Sequence, residues 1–251
     1  LLTVVSKSDP LELVSTFSKS RPKFLHWPPQ ATGPGPSASE RRRILVIAGL
    51  FWLAATVLGF GAIFRYAVAA GDPGGIHPWW PAASRLELAR DRPTLVLCAH
   101  PHCACTRATV GELNLLMGEL RGKVRGYVLA VKPKEFGRGW VDTQSMRQAE
   151  RIPGVSLVVD EDGLESERFG ARTSGQVLLY SAEGRLLFRG GLTAFRGHMG
   201  DSVGYQRILA LVRTGKADSN SSIVFGCRLS DKTCPNTVAG ELTGTKQPKR
   251  G

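Results

Sequence analysis

Residues 92–117 read RPTLVLCAHPHCACTRATVGELNLLM. Thr94–Cys98 is apolar without alternation, as a short strand buried on both faces requires. From Thr106 to Leu120, the residues Val110, Leu113, Leu115, Leu116 and Leu120 recur at helical spacing, and Gly122 is a fitting stop. Between strand and helix lies a tight turn that carries His100, Pro101, His102, Cys103 and Cys105. Cys103 and Cys105 therefore sit where the helix begins. Unpaired N–H groups and the positive end of the helix dipole favour an anion there. A thiol in that place is shifted toward thiolate, the nucleophilic form. The layout is that of a redox site.

Downstream, Val124–Val131 reads as a second strand, Thr143–Arg151 as a helix, and Val155–Asp160 as a strand closed by the turn-like EDG. A short helix over Glu165–Phe169 follows. Gln176–Ser181 and Arg185–Arg189 then flank AEG as a hairpin. Ser202–Thr214 is a helix with Asp201 or Ser202 as N-cap and Gly215 after it. Strands alternating with helices and ending in a hairpin and a helix indicate an α/β domain with a mixed central sheet over residues 82–215.

Upstream, Ile44–Phe64 is free of charge over 21 residues, enough for a helix of about 31 Å to span a bilayer. Arg41, Arg42 and Arg43 precede it and Arg65 follows. The positive-inside rule then places the N-terminus in the cytoplasm and the rest outside. Ala67-Val68-Ala69 resembles a signal-peptidase site, but the apolar run exceeds the roughly 7–15 residues of a cleaved signal, so an uncleaved signal-anchor over 44–65 is expected. Residues 1–43, which mix Ser, Pro, Gly and Lys, read as a disordered cytoplasmic segment. Residues 66–81 read as a linker and 216–251 as a flexible tail. Trp79 and Trp80 either rest at the membrane surface or cap the domain core.

The net charge of +12 is divided among the parts. The first 43 residues hold +4, the tail +3, and the central region a mild +5. The centre has no basic face interleaved with aromatics, which argues against nucleic acid as a partner. Five cysteines are too few for a disulfide-built scaffold, and their spacing does not form a structural zinc module. Cys98, on the strand, reads as a buried hydrophobe. Cys227 and Cys234 read as a small disulfide loop in an oxidising compartment, or as a resolving pair for Cys103. His100 and His102 either tune Cys103, ligate a metal, or are exposed turn residues.

The order of elements, with a cysteine pair at the first long helix, resembles the thioredoxin-like superfamily. The segment VVDEDGLESERFGARTSGQVLLYSAEGRLLFRGG is similar to its membrane-anchored, extracytoplasmic branch, related to cytochrome-maturation thioredoxins and peroxiredoxins. HPHCACT, TSG and RGHMGD look most like the RedB-like proteins. Two departures stand out. Cys103-Ala104-Cys105 has one intervening residue where the family has two, and a disulfide across it would close a strained ring. Thr173-Ser174-Gly175 stands where the family has a cis-proline, and glycine there allows unusual backbone angles. The fold also implies that the loop Gly190–Asp201 lies on the active face and brings Arg196 and His198 toward Cys103.

The resemblance implies a single-pass protein of the bacterial inner membrane, with its thioredoxin-like domain in the periplasm and protein thiols and disulfides as partners. Cys103 attacks and Cys105 resolves, supported by His100, His102, Arg107, Ser174, Gly175, Arg196 and His198, with no cofactor required. The rival expectation is a copper-binding or copper-delivery protein using Cys103, Cys105 and His198, since thiolates with imidazole suit Cu(I). A peroxidase with Cys103 oxidised to sulfenic acid is a third. The oligomeric state is not encoded in any of these features.

Overall fold

The computed structural model describes residues 35, 37–75 and 77–231. Residues 1–34, the bulk of the expected cytoplasmic segment, lie outside the described residues, as does Cys234.

Helix α1 (Ala38–Val68) is longer than the apolar run and none of its residues is buried. It starts early because Ser37 and Glu40 form a capping box. The Ser37 N–H donates to Glu40 Oε2 at 2.7 Å, and the Glu40 N–H donates to Ser37 Oγ at 3.3 Å. The arginines therefore fall inside its first turns. Its 31 residues extend about 46 Å, and by length and composition it is able to cross a membrane.

The domain that follows has strands β1 (Thr94–Ala99), β2 (Arg125–Lys132), β3 (Val155–Glu161), β4 (Gln176–Tyr180) and β5 (Leu186–Gly191). Its helices are α2 (Ala104–Leu120), α3 (Gln144–Glu150), α4 (Leu164–Arg168) and α5 (Val203–Thr214). The sheet order is β3-β2-β1-β4-β5. β1 pairs parallel with β2 and β2 with β3, whereas β4 runs antiparallel to β1 and to β5. This mixed sheet flanked by helices is the thioredoxin-like fold. The loop before α3 holds a 3₁₀ turn at Arg138–Val141 that burying Trp140 explains.

Past Thr94 the central strand is an unbroken apolar run because both of its faces are covered. Leu95, Leu97 and Ala99 pack with Val110, Leu113, Val177 and Ile208 on one side. Val96 and Cys98 pack with Phe169, Leu178 and Tyr180 on the other. Trp80 closes this second layer, with its ring edge-on to Phe169 at 5.0 Å and to Tyr180 at 5.3 Å. Of the two tryptophan readings, capping the core is therefore the correct one for Trp80.

The expected linker and tail both require correction. The Gln176 side chain donates to the Pro73 carbonyl at 2.9 Å, and Arg189 Nη2 donates to the same carbonyl at 2.8 Å. Residues 216–231 are likewise part of the domain. Ser221 bridges Arg189, Arg228 bridges Thr173, and Val224, Phe225 and Leu229 are buried. Composition suggested linkers because 71–81 is rich in glycine and proline and 216–231 is largely polar. They are held through their backbones, which composition does not report.

Candidate active site

Cys98 at the end of β1 faces Gln176 at the start of β4, and Gln176 faces Gly191 at the end of β5. The register therefore brings the cysteine turn, the residues before β4 and the loop after β5 to one end of the sheet. Cys103 is the N-cap of α2, with φ −75° and ψ 124° and no side-chain capping bond. The first turn closes from the Thr106 N–H to the Cys103 carbonyl at 3.0 Å, which leaves the sulfur at the helix end.

Three cysteines meet there. Cys103 and Cys105 are only 3% and 5% exposed, and Cys227 packs against them with intermediate exposure. Cys103 Sγ lies 3.1 Å from Cys227 Sγ. The Cys103 thiol is held far below its ordinary pKa by hydrogen bonding from the Cys105 thiol first and the Cys227 thiol second, against the opposing effect of burial. A hydrogen bond to a charged group contributes about 1.5–3 kcal/mol and a helix end about 0.3–1, so the neighbouring thiols outweigh the dipole even as weak donors. Cys105 is pushed the other way, by the Cys103 sulfur first and then by burial, while Arg196 and the Gly197 N–H act to lower it. One sulfur ionises and its neighbour keeps the proton.

His100 is fully buried, so the exposed-turn alternative does not apply to it. Its Nδ1 accepts the His102 N–H at 3.2 Å, which leaves the proton on Nε2, donated to the Asp231 carbonyl at 2.7 Å. Burial holds its pKa below the ordinary value, so it is neutral. With both nitrogens engaged it has no lone pair for a metal. His102 is part-buried, 2.9 Å from the Trp140 carbonyl and tilted over that indole at 4.2 Å.

Ser174 acts as a brace. Its Oγ accepts the His100 N–H at 2.9 Å and lies 3.1 Å from Thr106 Oγ1, while its own N–H donates to the Cys227 carbonyl at 2.8 Å. Gly175 has φ +89°, in the region that favours glycine, and donates its N–H to the Cys98 carbonyl at 2.8 Å. The place read as the family's proline is thus taken by Ser174, which ties the cysteine turn to the C-terminal segment, and Gly175, which ties the start of β4 to the end of β1.

The loop after β5 does come to this end, through Arg196 and Gly197 beside Cys105. Arg196 Nη1 donates to the Gly226 carbonyl at 2.9 Å. His198 is exposed and its ring neighbours Phe195 at 6.0 Å; Arg107, one turn after Cys103, is also exposed. Among the described residues no group of three or more His, Cys, Asp or Glu is placed to hold a metal ion, so the set Cys103, Cys105 and His198 is not assembled. Cys98 lies in the second core layer with its thiol pushed up to about 12, mainly by burial. Sequence reasoning left Ser174 without a specific partner and left out Thr106, Trp140 and Asp231. The surplus of cysteines over the CxC pair was the one signal pointing toward Cys227.

No family model matches the chain, and no curated protein does. Solved structures do. A hypothetical protein from Sinorhizobium meliloti 1021 is 15% identical with a TM-score of 0.47, over 65% of this chain and 95% of that one. A secreted Mycobacterium tuberculosis disulfide oxidoreductase homologous to E. coli DsbE is 16% identical with a TM-score of 0.36, over 50% of this chain and 82% of that one. A SCO1/SenC family lipoprotein from Bacillus anthracis is 12% identical with a TM-score of 0.37, over 49% of this chain and 81% of that one.

Proposed function

We propose that this chain is a membrane-tethered, extracytoplasmic thiol–disulfide oxidoreductase whose reactive sulfur is Cys103 of the CxC pair. The observation that carries this reading is the gathering of Cys105 and Cys227 around a helix-capping Cys103, which favours its thiolate. The thiolate attacks a disulfide of a protein partner, forms a mixed disulfide and expels one partner thiolate. A second sulfur of this chain then attacks Cys103 and frees the partner. Cys105, in the same motif, is one sulfur within reach. HPHCACT, TSG and RGHMGD support a place among the RedB-like proteins of the thioredoxin-like superfamily. Arg41–Arg43 before the apolar stretch of α1 support a cytoplasmic N-terminus, an uncleaved anchor and a periplasmic domain at a bacterial inner membrane.

Insulin-disulfide reduction by wild type, Cys103→Ser and Cys105→Ser, with a parallel Cu(I) titration, tests this reading. Turnover by wild type that is lost in Cys103→Ser supports it. Absent turnover together with tight Cu(I) binding that needs both cysteines overturns it in favour of copper delivery.

A further inference from the structure

We infer that Cys227, and not Cys105, is the sulfur that closes a disulfide with Cys103, so that the redox couple joins the start of α2 to the C-terminal segment. This rests on the oxidoreductase reading above and assigns its second sulfur. Cys103 Sγ and Cys227 Sγ stand 3.1 Å apart, and an approach of about 1 Å brings them to bonding distance. Cys105 is also within hydrogen-bonding reach of Cys103, but a ring closed across one residue is strained. Joining Cys103 to Cys227 closes no such ring, because the second sulfur comes from a segment far along the chain.

The segment that carries Cys227 is fastened at several points. The Ser174 N–H donates to the Cys227 carbonyl at 2.8 Å, the Leu229 N–H to the Arg172 carbonyl at 2.9 Å, and Arg196 to the Gly226 carbonyl. His100 Nε2 donates to the Asp231 carbonyl beyond it. Ser174 and His100 therefore hold both sulfur-bearing segments at once. Gly226 permits this close approach, because a Cβ there would lie 1.9 Å from the Ser174 carbonyl oxygen. Of the three clustered cysteines, Cys227 alone is not fully buried, which gives the pair its opening to solvent.

The chemistry balances with a protein disulfide as oxidant. The Cys103 thiolate bonds to one sulfur of the incoming disulfide and expels the other as thiolate. Cys227, deprotonated to solvent, bonds to the Cys103 sulfur and expels the second partner thiolate. Two electrons pass from the Cys103/Cys227 dithiol to the partner, whose two thiolates take up protons. A dithiol reductant reverses the exchange and resets the pair. Cys105 is then a positioning residue, a thiol that keeps its proton and donates to the Cys103 thiolate.

The test uses the full chain in detergent, reduced and then mixed with limiting oxidised glutathione, quenched by alkylation and mapped by mass spectrometry. The expected product is a Cys103–Cys227 disulfide in both wild type and Cys105→Ser. Cys227→Ser should accumulate a glutathione adduct on Cys103 and release it roughly tenfold more slowly or worse. A Cys103–Cys105 or Cys227–Cys234 disulfide in wild type overturns the inference, as does release from Cys227→Ser at the wild-type rate. The wild-type map decides even where a variant folds poorly. If Cys103 takes up no glutathione in any variant, the oxidoreductase reading itself fails, and the inference with it.

Discussion

Cys103 and Cys98 lie five residues apart and are set to opposite chemistry by what surrounds them. Cys98 is enclosed by the second core layer and its thiol is pushed up to about 12, so native alkylation at pH 8 should leave it unmodified until the protein unfolds, as read by mass mapping. Cys103 is held as thiolate by its sulfur neighbours. Between its lowered folded pKa and the ordinary value of about 8.5, the unfolded chain binds a proton there that the folded chain does not. The stabilisation is fully present above about 8.5 and lost as pH falls toward the folded value. Denaturant unfolding of reduced wild type against Cys103→Ser should therefore show an advantage that grows from about pH 6.5 to pH 8. A constant difference would contradict the thiolate. His100, kept neutral by burial, adds stability of the same sign that fades below about 6.5; the Cys103 charge acts to raise its pKa, so the two proteins differ there and the comparison is read above that pH. The helix-end position of Cys103 was legible from the spacing of 92–117. Its two sulfur donors were not, because a distant segment supplies one of them and side-chain orientation the other.

At the scale of elements, the strands and helices were legible because each has an unmixed period. β1 is an unbroken apolar run past Thr94, and α5 shows a clear apolar stripe with Ser202 and Gly215 at its ends. The Ser202 side chain accepts the Tyr205 N–H, and Gly215 ends the helix at φ +74°. The segment 216–231 has neither period, and its attachment is written in backbone hydrogen bonds and close contacts. Gly226 shows how narrow that fit is. Gly226→Ala should displace the segment, cost about 1–3 kcal/mol of stability, and raise the pH at which Cys103 becomes alkylated. Unfolding curves and a labelling pH profile check both effects. An unchanged labelling profile would mean that the segment does not stabilise the Cys103 thiolate.

At the scale of the whole molecule, a helix able to cross a membrane precedes a thioredoxin-like domain. A phosphatase that is active only outside the cytoplasm, fused after Gly251, should be active, and the same enzyme fused before Leu1 should not. The reverse pattern would place the cysteines in a reducing compartment and remove the setting for disulfide exchange. What the sulfur cluster does when a disulfide reaches it is read in a single turnover, in which reduced, reductant-free protein is mixed with an excess of a peptide disulfide and the released thiol is counted. One disulfide should be reduced per wild-type chain, and the rate should be lower by roughly a hundredfold or more in Cys103→Ser. Equal rates in the two proteins, or no thiol released by wild type, would contradict the oxidoreductase reading.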